Sequence, residues 1–152
     1  MSEEVKRHIS VDISEVLEMA NEYGFELKDR NLLESALAAP FHGVFDRELF
    51  PNIWEKAAIL FRSIVKNHAF VDGNKRIGIK TLLRFLELNG YSVPIKEHNT
   101  LRLLALLLAS GATFNGDEEG KVKVSFDTDS EEMKALIQWF KDHIEKRKKI
   151  KI

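Results

Sequence analysis

A short polar turn that runs directly into an apolar helix limits the possible folds of this chain more than any other stretch. The turn is His68-Ala69-Phe70-Val71-Asp72-Gly73-Asn74-Lys75-Arg76, and the apolar segment follows as residues 77–89. Asn89-Gly90 predicts the end of this helix, because glycine adopts the left-handed conformation beyond a helix end at no steric cost. Apolar residues occupy nearly all sides of the helix, so we expect it to be the central, buried helix of the protein.

The two cations at the end of this turn carry a charge that is unfavourable for their position. Gly73 and Asn74 suit a tight turn and helix start, but Lys75 and Arg76 then lie in the first helical turn. Free backbone N–H groups make a helix N-terminus positive, so each cation there costs roughly 0.3–1 kcal/mol. An anion held by the N–H groups and both side chains would make the same cations favourable. The pattern therefore predicts a phosphate site at this helix end.

Two further groups in the turn suit chemistry on a phosphate. His68 can exchange a proton near neutral pH, and Asp72 is a hard oxygen ligand for magnesium. Together with the cations they form a plausible centre for phosphoryl or nucleotidyl transfer. The residue types alone leave a plainer interpretation open, with a structural histidine, an ordinary turn and solvated cations. A metal site shared by His68 and Asp72 is a further alternative, disfavoured by Gly73 and by the shortage of other ligands.

The same residues resemble the signature of the Fic/Doc superfamily, in the form of its death-on-curing (Doc) toxin branch. The common Fic form has His-Pro-Phe, an acidic residue, Gly-Asn-Gly-Arg and a second arginine three residues later. Lys75 stands here in place of the last glycine, and Ile79 stands in place of the second arginine. Both differences match the Doc pattern. Flanking segments at 29–40, 55–58 and 85–91 are similar too, so the resemblance covers roughly residues 10–111.

The resemblance implies an all-α, Fic/Doc-type bundle of about six helices. It also implies a toxin that transfers the γ-phosphate of ATP to a serine or threonine of a protein target. His68 would take the hydroxyl proton, and Asp72 would hold Mg²⁺. The backbone at Gly73 and Asn74, with Lys75 and Arg76, would bind the phosphates and stabilise charge in the transition state. The implied target is translation elongation factor Tu or a similar protein, the outcome is growth arrest, and the implied inhibitor is a Phd-like antitoxin.

Two other functions fit the sequence. A Fic-type adenylyltransferase would use the same site to transfer AMP, and Lys75 and Ile79 argue for phosphoryl transfer instead. A non-catalytic binding module would have kept only the fold, and the intact motif argues against it. An inhibitory Ser/Thr-to-Glu spacing occurs at Ser14–Glu18 and at Thr128–Glu132, but the residue that should follow is Met in both places. We therefore expect inhibition by a separate protein.

Composition bounds the remaining possibilities. The chain has 152 residues, 44% of them hydrophobic, which predicts one domain over residues 1–152 with an N-terminal arm (1–11) and a basic tail (146–152). The net charge of −1 gives no reason to expect binding to nucleic acid or to a membrane. Cysteine is absent and the N-terminus has no signal-peptide pattern, so a cytoplasmic location is expected. The richest apolar run, 103–109, is too short to span a bilayer.

The other helices are predicted from caps and periodicity. Asp12 and Gly24 bound a first helix, Asp29 and Pro40 a second, and a third runs over 52–67 and carries His68 at its end. Residues 41–51 are expected either to form a loop tucked against the core or, by the resemblance, to lie over the active site. A fifth helix is predicted from Lys96 to Gly111, a small β-hairpin within 112–126, and a last helix capped by Thr128.

Overall fold

Six α-helices form most of the structure, a computed structural model that describes residues 7–110 and 131–147. They are α1 (Ile13–Tyr23), α2 (Arg30–Ala38), α3 (Ile53–Asn67), α4 (Asn74–Leu88), α5 (His98–Ser110) and α6 (Glu131–His143). Two 3₁₀ turns, Ala39–Phe41 and Ile95–Glu97, precede the hairpin and α5 respectively. The short strands β1 (Gly43–Val44) and β2 (Arg47–Glu48) pair antiparallel, as do β3 (Tyr91–Ser92) and β4 (Glu145–Lys146). The predicted all-α fold class is confirmed.

The most enclosed helix is α3, and the expectation that α4 lies at the centre was wrong. Eleven of the fifteen residues of α3 are buried, against seven of fifteen in α4. Helices α2, α4, α5 and α6 all pack on α3. At the contact with α4, a Cβ added to Gly78 would lie 2.7 Å from the Val65 side chain, so glycine permits the close approach. Part of the apolar outer side of α4, with Ile79 and Leu83, lines a cleft.

The predicted helix boundaries at the N-terminal end are confirmed. Asp12 caps α1 by accepting a hydrogen bond from the Ser14 N–H, and Gly24 ends the helix in the left-handed conformation. Asp29 caps α2 through the Leu32 N–H. The α-helix ends at Ala38, and Pro40 lies in the following 3₁₀ turn. These ends depend on local side-chain and backbone chemistry, which explains why the sequence predicted them well.

Residues 41–51 form a hairpin rather than an irregular loop. Phe45 and Asp46 connect β1 to β2 with positive φ angles of 51° and 63°, as a tight turn between twisted strands requires. The hairpin is anchored by Lys56 of α3, which is fully buried. Its Nζ donates to the backbone oxygens of Phe50 (2.5 Å) and Pro51 (3.3 Å). It also lies 3.2 Å from the Glu48 carboxylate of β2, so one charged side chain joins the hairpin to the core.

Both ends of the described part of the chain contact residues at the end of α4 or just after it. Asn89 holds the arm through its side chain, which accepts from the Ile9 N–H (2.7 Å) and donates to the Ile9 oxygen (2.9 Å). The predicted N-terminal arm is thus bound to the helix bundle at Ile9. Lys146, where the basic tail was predicted to start, pairs in β4 with Tyr91. The predicted hairpin within 112–126 and the Thr128 cap lie outside the described residues. No helix in the described ranges is long and apolar enough to cross a membrane.

Candidate active site

The backbone of the motif turn is fixed by the connection between α1 and α2. The N–H groups of Lys28 and Asp29 both donate to the Ala69 oxygen, at 2.8 and 2.9 Å, and the Val71 N–H donates to the Glu26 oxygen at 2.9 Å. Phe70, between them, is buried and pairs with Leu27 as an isolated bridge. A segment distant in sequence therefore holds the backbone of the turn in place, and the exposed side chains of the turn project from this fixed backbone.

His68 ends α3 in an unusual conformation. Its φ and ψ of 52° and 48° lie in the left-handed region, which costs a non-glycine residue roughly 1–2 kcal/mol. Nothing about helix termination requires histidine here, since glycine would end the helix without this cost. The side chain is exposed, not packed as a core histidine would be. Retained strain of this kind is typical of residues that act in a site.

Asn74 supports the turn with its side chain. It is buried, and its amide accepts from the Phe70 N–H (3.1 Å) and donates to the Phe70 oxygen (2.9 Å). These two bonds close the turn from residue 70 to residue 74. The motif predicted a role for the backbone of Asn74 at the site, but not this structural role of its side chain. The contact leaves the side-chain amide engaged, so the backbone N–H is the group Asn74 offers at the helix start.

The start of α4 is positively charged and lacks a side-chain cap. Gly73 precedes it with φ of +85°, and no side chain of the described residues caps the helix there. Lys75 and Arg76 are both exposed in its first turn. The guanidinium of Arg76 lies over the Tyr23 ring, 5.3 Å from its centre, which orients the side chain. The predicted combination of free helix N-terminus and paired cations is present.

Asp72 is the acidic group of the site. It is exposed, and its carboxylate accepts a hydrogen bond from the Gly73 N–H at 2.7 Å. No group of three or more His, Asp or Glu side chains that could hold a metal ion occurs in the described parts of the chain. Asp72 does fit magnesium that arrives with a nucleotide, because Mg²⁺ takes one or two carboxylates and completes its shell with phosphate and water oxygens.

All six predicted site residues line one cleft of about 950 Å³. The cleft lies between the motif turn, α4 and α5, and one side is lined by Tyr23 at the end of α1 and by Phe25 just after it. Val71 of the turn also lines it, and the remaining walls come from residues outside the motif: Val65, Ile79, Lys80, Leu83, His98, Arg102, Ala105, Leu106 and Ala109. A cleft of this size suits a nucleotide-sized ligand.

Two cations of the cleft, Lys80 of α4 and Arg102 of α5, were not among the predicted site residues. Lys80 lines the cleft, whereas Arg84, one turn further along α4, pairs with Glu15 and Glu87. The spacing of four residues between Arg76 and Lys80 was a usable signal, because it puts both on one helix face. Arg102 was the one cation within the leucine-rich segment 101–108, and that isolation was the other available signal.

The hairpin does not line this cleft. His42, at its base, lines a separate hollow of about 550 Å³ with residues of the N-terminal arm and α2. None of residues 41–51 is among those that line the cleft, so the structure does not support the expectation that they lie over the active site.

Comparison with known proteins agrees with this geometry. Residues 4–86 match the sequence profile described as the Fic/DOC family. The chain belongs to the Fic/DOC family. A curated relative named Toxin Doc, from Mycolicibacterium smegmatis (strain ATCC 700084 / mc(2)155), is 44% identical over 70 residues, which are 45% of this chain and 54% of the relative. The chain thus spans about half the length of this relative. No match was found among solved structures.

Proposed function

We propose that this protein is a Doc-like toxin that transfers the γ-phosphate of ATP to a serine or threonine hydroxyl of a protein target. The observation that carries the proposal is the convergence of His68, Asp72 and the cationic start of α4 in one nucleotide-sized cleft. The named relative, Toxin Doc, supports the toxin assignment, and the family supports a nucleotide-dependent transfer to protein.

In the proposed reaction His68 removes the proton from the target hydroxyl. The hydroxyl oxygen forms a bond to the γ-phosphorus, the bond from that phosphorus to the β–γ bridging oxygen breaks, and ADP leaves with the electron pair. The N–H groups at the start of α4, with Lys75 and Arg76, stabilise the charge on the transferring phosphoryl group. Asp72 would hold Mg²⁺, which when bound offsets phosphate charge. The fixed backbone of the turn keeps these groups aligned.

Lys75 supports phosphoryl transfer over AMP transfer. A long cation occupies the position where common Fic proteins have glycine, and Ile79 provides no second arginine. The proposed target is elongation factor Tu or a similar translation factor, with growth arrest as the consequence in the cytoplasm. The proposed inhibitor is a Phd-like antitoxin. Glu132, one of the two candidate inhibitory glutamates, is buried against Arg62 and Lys66, and neither it nor Glu18 lines the cleft. Inhibition in trans fits this arrangement.

Labelled ATP tests the reaction directly. The protein is incubated with purified elongation factor Tu, or with host lysate, and with ATP labelled at either the γ- or the α-phosphate. We expect γ-label on the target and a mass increase of about 80, whereas α-label and about 329 would show AMP transfer. His68→Ala should abolish transfer and toxicity. His8→Ala, a histidine outside the cleft, is the control and should retain both. A fully active His68→Ala protein would refute the role of His68 as the base.

A further inference from the structure

The cleft is positively charged well beyond the motif turn. Four cations line it, namely Lys75 and Arg76 in the first turn of α4, Lys80 one turn later, and Arg102 on α5. Asp72 is the one acidic residue among the lining residues. The chain as a whole has a net charge of −1, so this excess is local. An enclosed excess of one charge sign concentrates ligands of the opposite sign.

These cations also differ from their neighbours in their ion pairing. In the described part of the chain, none of the four forms an ion pair with a carboxylate. Arg84, one helical turn beyond Lys80 on the same helix, is paired with Glu15 at 3.0 Å and Glu87 at 2.7 Å. Arg102 instead contacts the neutral Asn99, whose side-chain oxygen lies 2.5 Å from Nη1 and orients the guanidinium. Positioned cations without carboxylates fit an anionic ligand.

Beyond the cations, the cleft wall is apolar. Ile79 and Leu83 of α4 face the cleft together with Ala105, Leu106 and Ala109 of α5. Leu106 is 53% exposed, so its apolar side chain is accessible to a ligand from the cleft. The opposite end is unsuitable for a stacked base, because the Tyr23 ring already stacks on Phe25 and lies beneath Arg76. The apolar part of a nucleotide therefore fits between α4 and α5.

The order of these groups gives the ligand a direction. Along α4 the motif cations come first. Lys80 lies about 6 Å of helix rise beyond Arg76, and Leu83 lies about 4.5 Å beyond Lys80. Arg102 comes before the apolar residues of α5 in sequence and lines the same cleft. A ligand with several phosphates and one apolar end matches this order, with its outermost phosphate at the turn and its base between the helices.

We propose that Arg102, assisted by Lys80, binds the phosphate nearest the nucleoside and so fixes which end of a nucleoside triphosphate faces His68. The inference rests on the proposed function, because it names the residues that orient its substrate. Arg102 is a positioning residue. It holds the non-transferred part of the nucleotide and leaves the γ-phosphate at the turn.

Nucleotide affinity, measured without a target protein, tests this assignment. Isothermal titration of the full chain with ATP and with ADP gives both dissociation constants in the presence of Mg²⁺. Arg102→Gln should raise both constants by about tenfold, which corresponds to the loss of one charge-assisted hydrogen bond. The factor should be the same for ATP and ADP, because both keep the phosphate nearest the nucleoside. Arg102→Lys should raise the two dissociation constants less than Arg102→Gln does. Lys80→Gln should also raise both constants.

Arg47→Gln is the matched control, since it removes an exposed arginine of the hairpin, outside the cleft. It should leave both constants unchanged. Unchanged ATP affinity in Arg102→Gln would overturn the inference, and so would a loss for ATP with none for ADP, which would place the γ-phosphate at α5. A wild-type protein that binds neither nucleotide would refute the proposed function and this inference with it. Tight binding without any transfer would refute the proposed reaction alone.

Discussion

Single residues hold the motif turn through contacts that the motif itself does not reveal. Asn74 closes the turn with two hydrogen bonds to the Phe70 backbone, and Gly73 makes room for an aromatic ring. Gly73 has φ of +85°, and a Cβ at this position would overlap the ring of Phe25. A side chain there would suffer both from the backbone conformation and from the contact. Position 73 thus requires glycine for two reasons, the positive φ and the close contact with Phe25. At most turns only the positive φ requires glycine.

Comparison of two glycine substitutions separates these requirements. Gly24→Ala tests the left-handed conformation alone, because Gly24 has φ of +76° and nothing within 4 Å of an added Cβ. We expect it to lower the free energy of unfolding by roughly 1–2 kcal/mol. Gly73→Ala should cost clearly more and should also impair transfer. Urea unfolding of both variants measures the difference. Adding Phe25→Ala to Gly73→Ala should recover part of the loss, and a double variant no better than Gly73→Ala would show that the ring is not responsible.

At the scale of elements, α4 is shared between two environments. One side lines the cleft, and another carries Arg84, which contacts Glu15 of α1 through hydrogen bonds of 3.0 and 3.2 Å. This pair joins α1 to the helix that bears the site. The hydrogen bond from Arg84 holds the pKa of Glu15 below its ordinary value of 4.5. Both side chains are more than a third exposed, so solvent weakens the interaction.

The lowered pKa of Glu15 predicts a pH dependence of stability. A carboxylate whose pKa is depressed on folding stabilises the protein above its unfolded pKa, and loses this contribution as the pH falls through the folded value. Glu15→Gln should therefore destabilise the protein at neutral pH, by less than about 1 kcal/mol. The difference in the free energy of unfolding between this variant and wild type should shrink at pH values below the ordinary carboxyl pKa of 4.5. Urea unfolding at neutral and acidic pH measures it. Glu18→Gln, on the same helix, is the control, and a difference independent of pH would contradict the assignment.

At the scale of the whole molecule, local chemistry was predictable from the sequence and long-range packing was not. The Asp12, Asp29 and Gly24 boundaries follow from neighbouring residues and were confirmed. The motif turn was predicted for the same reason, since its groups are consecutive. The position of α3 at the centre depends on which helices cover it, and apolar periodicity does not encode that. Arg102 reaches the cleft because α5 packs beside α4, a contact that spacing within α5 does not predict.

The contact between α3 and α6 joins the C-terminal part of the described chain to the helix that ends in His68. Glu132 of α6 lies 2.6 Å from Arg62 and 3.4 Å from Lys66, and all three side chains are buried. Burial is the main reason that the pKa of Lys66 is lowered, so the carboxylate offsets a real desolvation cost. The group is thus a structural link, which also explains why Glu132 is unavailable to the cleft.

Removing this carboxylate tests how far the site depends on α6. Glu132→Gln would leave two buried cations beside a neutral side chain, and breaking a buried ion pair costs about 3–5 kcal/mol. We expect a loss near the lower end, because the amide oxygen can still accept a hydrogen bond from Arg62. Glu131→Gln is the matched control, since Glu131 is exposed one residue earlier, and it should change stability by less than about 0.5 kcal/mol. Urea unfolding compares the two. Equal midpoints would mean that the bundle holds α3, and His68 at its end, without this ion pair.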